Sequence, residues 1–359
     1  MVRIFFFISD KLVFGDILMA ITNRKIKHFK KMKRKNILIL ITRKLPEKIE
    51  KKLKEDFKVV FNKTDKKLSY NELKKKVNDV DVLIPCVSDT IDASIIKSAK
   101  NLKLIANFGN GVDNLDLVTA KEENVLVTNT PDVLTEDTAD LVLTLVLMIS
   151  RKVIEAQKKI IGGHWTGWGP SETLGQRING KNFGIIGMGR IGKAVAKRLS
   201  ILGVRILYHN RKRMNINDEK FYKAKYFDNL DMMIPQCDII SIHCPHTPET
   251  FHLLSKKRLR LLKKNCIVIN TSRGEIIDEQ ALASLLFQKK IGGAGLDVFE
   301  HEPQITQKLL ESDNVILLPH ISSATIESRI AMGERVIKNI KVFSDGRPPP
   351  DLVNKIYYD

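Results

Sequence analysis

Three polar side chains with complementary chemistry each follow a predicted strand in the second half of the chain. Arg273 lies in NTSRGEIID, Glu302 in GLDVFEHEP and His320 in LPHISSAT. Arginine is a permanent, planar cation that can grip a carboxylate through two hydrogen bonds. Histidine is the natural proton donor near neutral pH, and a hydrogen-bonded glutamate would favour its imidazolium form and fix its orientation. Together these residues predict acid catalysis on a carboxylate-bearing substrate.

A glycine-rich segment, FGIIGMGRIG, predicts a dinucleotide site. It leaves an apolar strand and opens a helix-forming stretch, KAVAKRLSILG, which is the context that gives a GxGxxG pattern its meaning. Gly187 permits the tight turn, Gly189 lets the backbone approach the pyrophosphate, and Gly192 allows close packing of the helix whose N-terminus holds the anion. Arg190 and Ile191 are expected to share in this contact. The alternative is that these glycines merely form a βα turn.

The residues after the next strand, VRILY, predict which coenzyme is preferred. An NAD site places Asp or Glu at this strand end to bind the ribose 2′-hydroxyl, and a 2′-phosphate would be repelled there. This chain has the neutral Asn210, followed by Arg211, Lys212 and Arg213. We therefore expect NADP to be preferred over NAD, with Asn210, Arg211 and Lys212 near the phosphate. The alternative is a solvated basic turn in a lysine-rich protein.

The elements that must position these residues form two blocks of alternating strands and helices. Short apolar runs of the kind that form strands buried on both faces recur along the chain, with lysine-rich helical stretches between several of them. Parallel strands place ligands at their carboxyl ends, so distant segments are expected to converge there. The predicted strands cover 37–41, 59–61, 82–84, 104–106 and 125–127 in the first block, and 183–187, 204–208, 238–243, 266–270, 293–297 and 315–318 in the second.

The chain has 359 residues, more than a single hydrophobic core usually serves, so two domains are expected. Long helices are predicted near 135–151 and 323–343, and residues 160–180, with both tryptophans, lack a regular pattern. The predicted division is a first domain of 32–131 plus 319–347 and a second of 132–318. Residues 1–31 are predicted to be a dispensable extension, because MKRKNILILI at Met32 reads like a natural start.

Composition limits the classes of partner. The net charge is +19, from 60 Lys and Arg against 41 Asp and Glu, but the cations are spread along the chain and no aromatic residues are interleaved with them, so we expect no specific nucleic-acid binding. The longest apolar run, 141–149, is too short to span a membrane. Four cysteines without a CxxC pair fit a reducing compartment, so the protein is expected to be cytoplasmic with free thiols.

Six motifs, in order, resemble the D-isomer-specific 2-hydroxyacid dehydrogenase family. They are NFGNGVDNLD, GMGRIG, HCPHTPET, INTSRGEIID, GLDVFEHEP and LPHISSAT, and the resemblance covers about 36–347. It implies an α/β fold of two doubly wound parallel-sheet domains, one flavodoxin-like and one dinucleotide-binding, with an active-site cleft between them. The outer block and the last helix would form the substrate domain and the central block the NAD(P)-binding domain.

The resemblance also assigns roles to further residues. The backbone amides of Asn110 and Gly111 would hold the substrate carboxylate together with Arg273. Cofactor contacts are implied at Pro245, Thr271, Ser272, Asp297 and His320, with Asp297 near the nicotinamide carboxamide. The segment 152–180 would be a dimerisation arm, making the protein a homodimer, and Trp165 or Trp168 would approach the partner's active site.

The implied activity is NAD(P)H-dependent reduction of a small 2-keto acid to a D-2-hydroxy acid, most like a glyoxylate or hydroxypyruvate reductase. A D-3-phosphoglycerate dehydrogenase-like enzyme is an alternative, and a dinucleotide-sensing, corepressor-like binding protein is another. A formate dehydrogenase fits less well, because carbon dioxide chemistry does not call for the acid pair of Glu302 and His320. No metal is expected, since His243, Cys244 and His246 are crowded by prolines and lack a carboxylate partner.

Overall fold

The computed structural model describes residues 31–354, which form two compact units. The first unit ends at Pro131 and resumes at Arg329, and the second comprises Asp132–Ser328. Each unit is built on one sheet whose strands all pair in parallel. The α/β class with two parallel sheets was predicted from the alternating pattern, and it is confirmed.

The sheet of the first unit has five strands in the order β2-β1-β3-β4-β5. This is the flavodoxin-like order, in which the chain direction across the sheet reverses between β1 and β3. All three residues of β3, β4 and β5 are buried, which explains why these strands read as continuous apolar runs. The strands are β1 Leu38–Ile41, β2 Lys58–Val60, β3 Val82–Ile84, β4 Leu104–Ala106 and β5 Leu126–Thr128.

The sheet of the second unit has seven strands in the order β12-β11-β10-β9-β6-β7-β8. The order reverses between β6 and β9, as in dinucleotide-binding folds, where the ligand binds at the reversal. The strands are β6 Asn182–Ile186, β7 Arg205–His209, β8 Ala224–Tyr226, β9 Ile239–Ile242, β10 Ile267–Asn270, β11 Gly293–Leu296 and β12 Val315–Leu317. The edge strand β8 was not predicted, because its three residues, AKY, are only partly buried and carry no apolar run.

Helices cover both faces of the second sheet. Ile239 of β9 packs on the side that holds the helices Thr135–Ser150 and Arg190–Ile201, whereas the adjacent Ile240 packs on the opposite side with the helix Glu279–Phe287. The helices of the molecule are α1 Glu47–Asp56, α2 Tyr70–Lys76, α3 Ala93–Ser98, α4 Leu117–Glu122, α5 Thr135–Ser150, α6 Val153–Ile161, α7 Arg190–Ile201, α8 Ile216–Tyr222, α9 Leu230–Met233, α10 Lys256–Leu259, α11 Glu279–Phe287, α12 Gln307–Leu310 and α13 Ile326–Ser344.

The return to the first unit lies ten residues later than the predicted boundary at 318/319. The backbone N–H groups of Ile321 and Ser322 donate to the carboxylate of Asp297 at 2.7 and 2.8 Å. The Thr325 hydroxyl donates to Asp137 at 2.6 Å. These bonds hold 319–328 to the second unit.

The first unit also extends past the predicted end at residue 347. The side chain of Asn354 accepts from the N–H of Val127 at 2.7 Å and donates to the carbonyl of Val125 at 2.8 Å. The predicted extension, residues 1–31, lies almost wholly outside the described residues.

Candidate active site

The turn that carries Arg273 follows directly from β10 and is held by a buried amide. Asn270, the last residue of the strand, donates to the carbonyl of Arg273 at 2.8 Å and accepts from the N–H of Ser272 at 3.0 Å. The Ser272 hydroxyl in turn donates to the carbonyl of Cys244 at 2.5 Å. Asn270 is fully buried. It was not predicted as a site residue, although a polar residue that ends an apolar strand was the available signal.

Glu302 and His320 form the hydrogen-bonded pair that the sequence predicts. Oε2 of Glu302 lies 3.1 Å from Nδ1 of His320, and Oε1 accepts from the N–H of Phe299 at 3.2 Å. Burial acts to raise the pKa of Glu302, but the hydrogen bond and positive charge of His320 outweigh it, with help from the charge of Arg273, so this pKa is lowered. The carboxylate is therefore held in its ionised form, in which it stabilises an imidazolium.

The backbone around His320 is fixed by Asp297. The N–H of His320 donates to the carbonyl of Asp297 at 2.9 Å, next to the two N–H bonds that the Asp297 carboxylate accepts. Burial raises the pKa of this fully buried carboxyl, although the backbone donors oppose the shift. His320 has a φ of 56°, a left-handed conformation that non-glycine residues adopt mainly where the surroundings impose it. The conformation is thus determined by contacts with the end of β11.

The glycine segment between β6 and α7 leaves space where a pyrophosphate would bind. Gly187 has a φ of 97°, and a Cβ there would lie 2.5 Å from the backbone N of Cys244, so only glycine fits. A Cβ at Gly189 would meet nothing within 4 Å, which leaves this backbone open to a ligand. Gly192 packs against the carbonyl of Gly187.

Further polar groups at the same edge suit a dinucleotide. The Thr271 hydroxyl is buried and has no hydrogen-bond partner within residues 31–354, which costs free energy unless a ligand supplies one. The carbonyl of Pro245, after β9, accepts from the Thr250 hydroxyl at 2.7 Å, so this loop is ordered by its own contacts. Arg190, at the start of α7, forms an exposed ion pair with Asp132 at 2.9 Å, and Ile191 is half-buried. The residues present therefore fit a nicotinamide dinucleotide along the carboxyl ends of β6, β9 and β10.

The turn after β7 separates the three predicted cations. Arg213 donates to both carboxylate oxygens of Glu219 at 2.8 and 2.7 Å and lies over the ring of Tyr226. Arg211 and Lys212 are exposed, with no ion pair among the described residues. Asn210 accepts from the N–H of Met188 at 2.7 Å, which ties the turn to the glycine segment.

Glu219 is a buried residue whose carboxylate accepts the hydrogen bonds that hold this turn. It was not predicted as a site residue. The Tyr208 hydroxyl also donates to Glu219, and together with Arg213 it lowers the pKa of that carboxyl to about 2. Burial, and then the bond to Glu219, raise the pKa of Tyr208 to about 12. No sequence pattern singles out Glu219, because it lies between two other charged residues, Asp218 and Lys220, in a short helix.

Asn110 and Gly111 belong to the first unit, where the side-chain amides of the partly buried Asn129 and the buried Asn107 brace their loop. The side chain of Asn129 donates to the carbonyl of Asn110 at 2.7 Å, and that of Asn107 donates to the carbonyl of Gly111 at 2.8 Å. Among the described residues no acceptor binds the two backbone N–H groups. These donors are thus available to an anion, and their role in carboxylate binding stays a prediction.

The histidines and cysteine near β9 have other partners. Nε2 of His243 lies 2.8 Å from the Ser241 hydroxyl, and burial lowers the pKa of His243 to about 3. Burial raises the pKa of Cys244 to about 11. Within residues 31–354 no group of three or more His, Cys, Asp or Glu side chains is arranged to hold a metal ion.

Comparisons with known proteins match the chain to one family of enzymes. A family model described as "D-isomer specific 2-hydroxyacid dehydrogenase, NAD binding domain" matches residues 143–322. The chain is 42% identical to a glyoxylate reductase of Thermococcus litoralis over 321 residues, which are 88% of this chain and 96% of the relative. It is 41% identical to a glyoxylate reductase of Pyrococcus horikoshii, with the same coverage.

Solved structures show the same fold. A D-isomer-specific 2-hydroxyacid dehydrogenase from Polaromonas, itself of uncertain assignment, is 36% identical, with a TM-score of 0.83 over 88% of this chain and 99% of the other. An NADPH-dependent glyoxylate/hydroxypyruvate reductase from Sinorhizobium meliloti, solved with NADP and malonate, is 31% identical. Its TM-score is 0.78 over 89% of this chain and 98% of the other.

Proposed function

Because the chain belongs to the D-isomer-specific 2-hydroxyacid dehydrogenases, as its motifs predict, we propose that it reduces glyoxylate and hydroxypyruvate with NADPH. The family and its oxidoreductase class are confirmed by the similarity over 88% of the chain. The observation that supports the reductive reaction is the pair of Glu302 and His320, 3.1 Å apart, in a unit that also carries Arg273 after β10. Relatives named glyoxylate reductase support the choice of substrate.

Each residue has a distinct part in this reduction. Arg273 binds the substrate carboxylate through its planar guanidinium. A nicotinamide dinucleotide held at the glycine segment would supply the hydride for this reduction. His320 gives its Nε2 proton to the carbonyl oxygen, and Glu302 holds the opposite ring nitrogen so that the imidazolium is stabilised and aimed. The cofactor would be contacted by Pro245, Thr271, Ser272 and Asp297.

A steady-state panel tests the proposal against its alternatives. Glyoxylate, hydroxypyruvate, pyruvate and 3-phosphohydroxypyruvate are each assayed with NADPH and NADH. The expected order places glyoxylate or hydroxypyruvate first in kcat/KM. A higher kcat/KM for 3-phosphohydroxypyruvate would favour the phosphoglycerate dehydrogenase-like reading, and dinucleotide binding without turnover of any acid would favour the corepressor-like one.

The preferred coenzyme in this proposal is NADP rather than NAD. No carboxylate occupies position 210, and the exposed Arg211 and Lys212 follow it without ion pairs among the described residues. Arg213 is engaged by Glu219, so two cations rather than three are available to the 2′-phosphate. An NADP-bound structural relative is consistent with this choice.

We also propose a homodimer formed through residues 152–180. Large apolar side chains are exposed in and beside this arm, whereas a monomer rarely leaves so many uncovered. Trp168 is 87% exposed and Trp165 60%, and Ile160, Ile161 and Leu174 are each more than half exposed. In the dimer one tryptophan would reach the partner's active site. Light scattering should give twice the chain mass for the wild type and a monomer for Ile161→Asp; a monomeric wild type would contradict the proposal.

A cytoplasmic location completes the proposal. All four cysteines are free thiols, as suits a reducing compartment. Within residues 31–354 the structure contains no helix with the length and apolarity of a membrane span.

A further inference from the structure

Two glutamates that have no part in the proposed reaction accept a hydrogen bond from each other's backbone N–H. They lie beside the loop that carries Glu302. The N–H of Glu300 donates to Oε2 of Glu279 at 2.8 Å, and the N–H of Glu279 donates to Oε2 of Glu300 at 3.3 Å. We call this reciprocal pair, Glu279 and Glu300, the carboxylate clamp. Glu279 begins α11, whereas Glu300 lies in the loop after β11.

The two remaining oxygens of the carboxylate clamp bind neighbouring segments. Oε1 of Glu279 accepts from both the N–H and the hydroxyl of Thr306, at 3.1 and 2.5 Å. Oε1 of Glu300 lies 2.7 Å from Nε2 of His252. Glu279 is 7% exposed and the Glu300 side chain 13%, and glutamates are seldom so buried unless every oxygen has a partner.

The carboxylate clamp holds the loop of Glu302 on both sides. Glu300 precedes Glu302 by two residues and Thr306 follows it by four, and Glu279 binds both of these flanking positions. The loop therefore has fixed ends only a short distance from the carboxylate that contacts His320.

The same loop packs against the turn of Arg273. A Cβ added at Gly274 would lie 1.9 Å from the carbonyl carbon of Phe299, so the backbones are in direct contact there. The N–H of His252 donates to the carbonyl of Glu275 at 2.8 Å, which joins the third segment to this turn. Glu300 and His252 thus connect the turn that carries Arg273 to the loop that carries Glu302.

We propose that Glu279 and Glu300 are positioning residues that set Glu302 against His320 and relative to Arg273. This inference rests on the proposed reduction, because it assigns the two glutamates a part in the same acid step. The competing explanation is that they only stabilise the fold. A purely structural role would lower the melting temperature without changing the pH dependence of turnover.

Glu279→Gln tests the inference. The substitution keeps the shape but replaces one acceptor oxygen with a donor that faces N–H groups. We expect kcat to fall about 10- to 100-fold, as for small misplacements of catalytic groups, while the Kd for NADPH changes less than ~2-fold. The pH above which kcat declines should move lower, as it should in Glu302→Gln. Glu311→Gln is the matched control, since Glu311 is exposed and its carboxylate accepts a hydrogen bond from the Gln307 side chain, away from the loop of Glu302.

A combined variant shows whether Glu279 acts through Glu302. In Glu279→Gln/Glu302→Gln the pH profile should match that of Glu302→Gln alone. Thr306→Val provides a milder change if Glu279→Gln fails to fold, because it removes only the hydroxyl. It should lower kcat about 2- to 10-fold, the value of one hydrogen bond.

The outcomes separate the inference from the function on which it rests. If Glu302→Gln shifts the pH profile but Glu279→Gln and Thr306→Val leave both kcat and the profile at wild-type values, the carboxylate clamp is only structural and the inference is wrong. If Glu302→Gln itself leaves the profile unchanged, the acid pair of the proposed function fails first.

Discussion

Reversal of coenzyme preference is the sharpest prediction from the turn after β7. Asn210→Asp combined with Arg211→Ala should change an NADPH-preferring enzyme into an NADH-preferring one. The Asn210 side chain accepts from Met188 N–H through its oxygen, and an aspartate keeps that acceptor, so the turn should be retained. The new carboxylate can bind a ribose 2′-hydroxyl and repels a 2′-phosphate.

The magnitude follows from the two cations that remain available. Arg213 is bound to Glu219, which leaves Arg211 and Lys212 for the phosphate. One charge-assisted hydrogen bond contributes about 1.5 to 3 kcal/mol, or about 10- to 150-fold. We therefore expect the wild type to favour NADPH at least ~10-fold in kcat/KM.

The assay is kcat/KM for each coenzyme at saturating glyoxylate, with variants measured at one ionic strength. Lys220→Ala is the matched control, because it removes an exposed cation from neighbouring α8 without changing the turn. A wild type that uses NADH better than NADPH would refute the phosphate-site reasoning. So would an Arg211→Ala variant with an unchanged coenzyme ratio, although neither result would affect the reduction itself.

Three further predictions concern other parts of the molecule. In Glu302→Gln the loss of negative charge beside His320 destabilises the imidazolium, so the pH above which kcat falls should decrease; an unchanged profile would argue against the pairing. The lowered pKa of Glu219 stabilises the fold above its unfolded-state pKa, so the difference in melting temperature between wild type and Glu219→Gln should be full near neutrality and vanish as pH falls from about 4.5 to about 2; a difference independent of pH would be inconsistent with an ionised Glu219. A protein beginning at Met32 should fold and turn over normally, and loss of solubility or activity would show that residues 1–31 are required.

Much of the fold was predictable because strands buried on both faces must be apolar throughout. The runs that become β3, β4 and β9 are buried at every position, and they were predicted within one or two residues. Strand β8 was missed because an edge strand needs no such run. The second unit also extends ten residues past the predicted boundary at 318/319, because the Asp297 carboxylate accepts hydrogen bonds from the backbone of Ile321 and Ser322, which no side-chain pattern reveals.

The residues proposed to act on the substrate were easier to single out from the sequence than the residues that hold them in place. Arg273, Glu302 and His320 have side-chain chemistry that suits the reaction, and each follows a strand. Asn270 and Glu219 act through buried hydrogen bonds to residues that only the folded chain brings together. Their sequence contexts, the end of an apolar strand and a charged helix, are compatible with many other roles.

The proposed reduction of a small 2-keto acid depends on His320 as the proton donor. The most direct test measures kcat/KM for glyoxylate and the Kd for NADPH in His320→Ala, with a melting curve to establish folding. We expect a loss of about 10²- to 10⁴-fold in kcat/KM, with nearly unchanged coenzyme affinity. A folded His320→Ala enzyme that retains half of the wild-type rate would contradict it.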